Sequence, residues 1–152
     1  MTTKEQYSKQ YKYRQIVKAK MFIDKNFAQN IGLTKIAGQA HFSKFHFARL
    51  FKNIYSLTPN QYLTAIRIDE AKTLLKKSNS INEVCFSVGF DSVSTFKGLF
   101  KRQTTLTPSE YKRQQLDLQS SMKNNPTIHI PHCFTKIGSI RKRAILKTAN
   151  KN

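Results

Sequence analysis

Residues Leu33 to Tyr62 read LTKIAGQAHFSKFHFARLFKNIYSLTPNQY, and this stretch decides the fold. Leu33, Ile36, Ala37 and Ala40 fall at i, i+3, i+4 and i+7, one face of a short helix. His41-Phe42 makes a turn, and Ser43 is a good N-cap for the next helix. That helix, Ser43 to about Tyr55, sets Phe47, Leu50, Phe51 and Ile54 on its buried side with the same spacing. Thr58-Pro59-Asn60-Gln61 then opens another helix: Thr caps, Pro takes the first helical position, and Gln stands three residues after the cap.

The unit then recurs. Phe47, Leu50-Phe51-Lys52, Thr58-Pro59 and Tyr62 return 49 residues later as Phe96, Leu99-Phe100-Lys101, Thr107-Pro108 and Tyr111. Ahead of the break the offset is 48: Leu33, Ile36-Ala37 and Phe42 return as Ile81, Val84-Cys85 and Phe90. Solenoids need three or more units to bury a continuous core. Two copies joined by a helix describe instead a small globular domain with two equivalent surfaces.

Around the repeat, residues 1–10 are polar and read as a flexible N-terminus. Tyr13, Ile16, Val17, Ala19, Ile23 and Phe27 give a mostly i, i+3, i+4 stripe, so one amphipathic helix is predicted from about Tyr11 to Phe27. The linking helix should run from Thr58 to about Lys77 with Leu63, Ile66, Ala71, Leu74 and Leu75 inward; about twenty residues span roughly 30 Å. Ser80-Ile81-Asn82-Glu83 is a second capping box, Val84, Cys85 and Val88 face inward, and Gly89 supplies the turn. Asp91 is read as the cap of a helix to about Gln103 with Phe96, Leu99 and Phe100 buried, and Thr107-Pro108-Ser109-Glu110 opens a last short helix to about Leu116.

The expectation is therefore an all-α, seven-helix domain over 11–116, two helix-turn-helix units bridged by a long helix. Residues 117–152 form a basic tail with seven Lys or Arg against one Asp, either disordered or packed back on the domain through Ile128 to Phe134.

Charge narrows the function. The 152 residues hold 27 Lys and Arg against 8 Asp and Glu, a net +19 that attracts polyanions, nucleic acid before anionic membrane. Eleven Phe and six Tyr can still fill a core. Two cysteines, Cys85 and Cys133, make no disulfide framework. With no signal-peptide core and no apolar window near 18 residues, a soluble, intracellular protein is expected.

A helix-turn-helix places its second helix in the major groove. The linking rod of roughly 30 Å approaches the ~34 Å between successive major-groove openings, so a monomer would suffice on an asymmetric site. On the first reading helix, Arg49 could grip guanine, His46 could donate to a base or phosphate, and Phe45 and Ala48 could touch thymine methyls. Phe45 could equally pack on a neighbouring helix. On the second, Val93 and Gly98 offer no side-chain hydrogen bond, leaving Ser94, Thr95 and Lys97. Lys44, Lys52, Lys101 and Arg102 stand where phosphate contacts would lie.

The segments SKFHFARLFKNIYSLTPNQYL, RIDEAKTLL and INEVCFSVGFDSVSTFKGLFKRQTTLTPSEYKRQ resemble the DNA-binding domain of AraC/XylS-type bacterial transcription regulators, over about residues 11–115. The resemblance is to the stand-alone members. It implies base-facing positions at Phe45, His46, Ala48 and Arg49 and at Val93, Ser94, Lys97 and Gly98. It further implies activation of transcription through RNA polymerase, in the bacterial cytoplasm at the nucleoid. Departures from the family pattern are His41, Ser56 and Thr105 where Gly is usual, and Gly98 where a larger or basic residue is common. The other readings are an architectural or RNA-binding basic protein with little sequence preference, and an enzyme. No catalytic motif supports the last. His129, His132 and Cys133 supply three candidate metal ligands where a structural zinc needs four, so neither metal nor cofactor is expected.

Overall fold

The computed structural model describes residues 3–77 and 79–124. Seven helices occupy them: α1 (Thr3–Asn26), α2 (Leu33–Gln39), α3 (Lys44–Tyr55), α4 (Pro59–Lys76), α5 (Ile81–Ser87), α6 (Val93–Thr104) and α7 (Pro108–Asn124). No strand occurs among the described residues. The chain up to Arg113 makes one compact unit; of the residues from Gln114 onward, those described continue α7.

The starts of α3, α4, α5 and α7 are closed by the side chains the sequence places there, whereas α2 follows Gly32 with no side-chain cap. Ser43 accepts from the His46 N–H at 3.4 Å. Thr58 and Gln61 form a reciprocal box, Gln61 N–H to Thr58 Oγ1 at 3.2 Å and Thr58 N–H to Gln61 Oε1 at 2.9 Å. Ser80 with Glu83 and Thr107 with Glu110 repeat that box. The hydroxyl and then the backbone N–H of Ser80 hold the Glu83 carboxyl below its ordinary value; for Glu110 the Thr107 backbone N–H leads and the hydroxyl follows. Because the folded value is depressed, this stabilisation is complete above the ordinary carboxylate range and is lost as pH falls through the folded value.

The repeat extends to backbone torsions. His41 and Gly89, the paired turn residues, have φ of 56° and 92°, and Ser56 and Thr105, which end α3 and α6, have φ of 62° and 68°. The three positions where a usual Gly is replaced are thus left-handed, a conformation costing an L-residue roughly 1–2 kcal/mol.

Helix α4 serves both halves. Toward its start, Tyr62 meets Phe51 edge-on at 5.6 Å, while Phe51 lies 5.5 Å from Phe47 and 4.7 Å from Tyr55. Toward its end, Ile68, Ala71 and Leu75 join Val84, Cys85, Val88, Phe90, Phe96 and Phe100 in a second core. There Tyr111 meets Phe100 at 5.5 Å, as Tyr62 meets Phe51. Helix α1 packs on α2, α3 and α4, and α4 on α5 and α6. Asp24 ties α1 to α4 by accepting from the Tyr62 hydroxyl at 2.8 Å and from Lys20 at 2.6 Å. Burial, with the charges of Tyr13 and Asp24, pushes the Tyr55 hydroxyl well above its ordinary value.

Several expectations are corrected. Helix α1 begins at Thr3, not near Tyr11, and α7 runs past Leu116 to Asn124. The added residues are mostly Lys, Gln, Glu, Leu and Met, which form helix without an apolar stripe. Ser92, not Asp91, caps α6, accepting from the Thr95 N–H at 3.4 Å. Leu50 and Ile54 are half-buried, because α3 turns Phe47, Phe51 and Tyr55 inward instead, while Leu74 and Leu99 pack half-buried against the second core. The residues Ile128 to Phe134, with His129, His132 and Cys133, lie outside the described residues.

Gly98 sits in the exposed middle of α6, and a Cβ there would meet nothing within 4 Å. Gly98→Ala is expected to stabilise the domain by about 0.5–1 kcal/mol. A higher urea midpoint at unchanged m-value checks this.

Candidate nucleic-acid interface

Helix α3 has two opposed faces. Phe47, Phe51 and Tyr55 fill the core, while Phe45, Ala48, Arg49 and Lys52 fall at i, i+3, i+4 and i+7 on the other side. Phe45 is 87% exposed, which removes the reading in which it packs on a neighbouring helix. Arg49 and Lys52 are exposed and Ala48 half-buried. His46 sits at the edge of the stripe, its ring edge-on to Phe42 at 5.1 Å. Its Nδ1 lies 3.4 Å from Arg49 Nη2. A guanidinium only donates, so Nδ1 is the accepting atom of this contact. Lys44, exposed, flanks the first turn.

Helix α6 repeats the arrangement. Phe96 and Phe100 are buried, and Ser94, Lys97, Gly98 and Lys101 form the exposed stripe with Arg102 beside it. These four occupy the repeat positions of Phe45, Ala48, Arg49 and Lys52. Ser94 Oγ lies 3.0 Å from Ser92 Oγ, so the α6 start presents two linked hydroxyls. Val93 stands at the first position of α6. It is half-buried and packs against the second core. Neither α3 nor α6 contains an Asp or Glu. Each therefore presents a cationic face that a polyanion can approach without like-charge repulsion.

One residue that sequence reasoning passed over joins the halves. Arg67 of α4 donates from Nε to the Phe27 carbonyl at 2.8 Å and from Nη2 to the Gln29 carbonyl at 2.9 Å, just beyond the end of α1. Its guanidinium carbon stands 5.4 Å from the Phe90 ring centroid, in the turn between α5 and α6. Burial lowers the Arg67 pKa and the Asp91 charge opposes that. A signal was available: Arg67 follows Leu63 and Ile66 at i+4 and i+1, on the inward stripe, where a cation needs partners.

Two helix-turn-helix units sharing one helix, each with a cationic, acid-free second helix turned outward, define a double helix-turn-helix DNA-binding domain. Residues 36–114 match a helix-turn-helix domain family. The bifunctional transcriptional activator/DNA repair enzyme AdaA of Bacillus subtilis is 32% identical over 105 residues, 68% of this chain and 49% of AdaA. "Probable transcription factor PqrA" of Proteus vulgaris is 31% identical over 107 residues, 70% of this chain and 79% of PqrA. Among solved structures, the C-terminal domain of AraT, a response regulator from Geobacillus stearothermophilus, aligns with a TM-score of 0.63 at 27% identity, covering 66% of this chain and 84% of that one. The DNA-binding domain of AdpA, solved with a target DNA, shares the fold at a TM-score of 0.62 and 24% identity, covering 74% of this chain and 97% of that one. The chain spans about half the length of AdaA. It belongs to the AraC-type helix-turn-helix family of bacterial DNA-binding transcription regulators.

No helix among the described residues is long and apolar enough to cross a membrane.

Proposed function

We propose that this chain is a sequence-specific transcription activator that lays α3 and α6 into successive major grooves of double-stranded DNA. The observation that carries the reading is the pair of repeat-equivalent exposed stripes on helices whose opposite faces are core. Helix α4, with eighteen residues, spans about 27 Å, and the distance between groove openings is ~34 Å. A monomer suffices on an asymmetric site.

In this reading α3 carries most of the sequence information. Arg49 takes guanine O6 and N7, His46 donates from Nε2, and Phe45 and Ala48 touch thymine methyls. Ser94 and Lys97 read for α6, while Val93 and Gly98 add close approach. Lys44, Lys52, Lys101 and Arg102 hold phosphates. The bound protein recruits RNA polymerase, acts in the cytoplasm at the nucleoid, and catalyses nothing itself. AdaA is named as an activator, which supports that direction of control.

Selection of bound duplexes from a random pool at about 150 mM salt, followed by a footprint, tests the reading. An asymmetric motif with two patches one helical turn apart is expected. Absence of enrichment would leave charge-driven binding to DNA or RNA and would end the regulator reading. On the selected site Arg49→Ala should cost about 1–3 kcal/mol and relax preference at one base pair. Lys52→Ala should weaken all sequences alike and lower the salt slope by about one. Equal loss on every sequence for Arg49→Ala would remove its reading role.

A further inference from the structure

We propose that Arg67 sets the spacing and rotational phase at which the two reading helices meet DNA; this rests on the two-groove reading above. The shaft of α4 fixes how far apart the two units stand. Their rotation about the shaft needs a contact off its axis, because a single helix yields to bending and twist. Arg67 and the turn beside it make that contact.

The junction has three parts. Arg67 binds the two carbonyls of Phe27 and Gln29, where α1 of the first unit has ended and its backbone oxygens lack helical partners. The same guanidinium lies against the Phe90 ring, three residues before α6 begins. Gly89 brings the backbone of that turn against the first unit so closely that a Cβ would stand 2.7 Å from the Ala28 carbonyl oxygen and 2.9 Å from that of Phe27. The second unit's turn is thus seated on the end of α1, and Arg67 touches both. The turn leads directly into α6, so its seat aims α6 relative to α3.

DNA makes this contact matter. Each inserted base pair moves the second patch by about 3.4 Å and rotates it by about 35°. A locked pair of readers follows neither motion. Arg67 touches no base in this account; it is a positioning residue that converts protein geometry into a required distance on DNA.

The test uses the selected two-patch duplex and versions with one or two base pairs inserted or removed between the patches. Dissociation constants are measured for the full chain and for Arg67→Met and Arg67→Lys. The unaltered chain should lose on the order of 30-fold on a two-base-pair insertion. Arg67→Met should lose less than about fivefold relative to its own original spacing, with base preference inside each patch kept. Arg67→Lys, which retains charge but not the two-carbonyl fork, should fall between. A role in stability alone lowers binding to every spacing equally and leaves the ratios unchanged, which overturns the proposal. If Arg67→Met does not fold, Arg67→Lys decides: a ratio equal to that of the unaltered chain overturns it. A selected site with one patch would instead overturn the two-groove reading, and this proposal with it.

Discussion

Phe51→Ala should lower folding stability by about 3–5 kcal/mol, which makes it the most damaging single truncation expected in the first unit. The ring is fully buried and touches three others, those of Phe47, Tyr55 and Tyr62. Two of these belong to α3 and one to α4, so the rings form the joint between the reading helix and the shaft. Truncation removes the transfer energy and leaves a cavity that aromatic walls cannot close. Phe45→Ala is the control, identical chemistry six residues earlier on the 87% exposed face, and should change stability by less than about 0.5 kcal/mol. Denaturant unfolding of both variants gives the comparison. A Phe51→Ala loss below about 1 kcal/mol would contradict the packing described.

Gly89→Ala should cost about 2–4 kcal/mol, from two causes that add. The residue sits at φ of 92°, which alanine resists, and the new methyl would collide with backbone rather than with a side chain that could swing away. The turn must lift off the end of α1 to admit it. Gly98→Ala provides the opposite sign in the same protein, since nothing lies near that Cβ. Thermal or urea unfolding should rank them Gly98→Ala, unaltered chain, Gly89→Ala. A neutral Gly89→Ala would mean that the turn is not seated on α1.

Much of this fold is legible in the sequence because its signals are local. Capping pairs three residues apart, a glycine in a turn, and apolar residues at helical spacing are all short-range, and the repeat states each of them twice. What escaped has a physical reason. The first turns of α1 and the last of α7 lack an apolar stripe, so periodicity is silent where propensity alone carries the helix. Asp91 and Ser92 are both good caps on composition, and only the backbone path places the Ser92 hydroxyl, not the Asp91 carboxylate, at the Thr95 N–H. The exposed stripe of α3 follows from knowing which side of the helix is buried, whereas the half-burial of Val93 against the second core is a tertiary contact that its exposed repeat partner Lys44 does not foretell. The Arg67 junction joins residues 38 and 40 apart through main-chain carbonyls, so residue identity shows a cation on the inward stripe but not the partners that hold it.

The shared shaft has a consequence for the lifetime of the protein. Tandem binding modules are commonly strung on flexible linkers, and a protease that cuts the linker releases modules that still bind. Here the first unit passes into the second through the continuous helix Pro59–Lys76, capped at its start and sunk into a core on either half. A backbone can enter a protease only when extended, so cleavage within the shaft requires α4 to melt, and melting α4 strips both cores of a wall at once. No half-protein with one working reader survives such a cut, and the activity of both helices is removed in a single event.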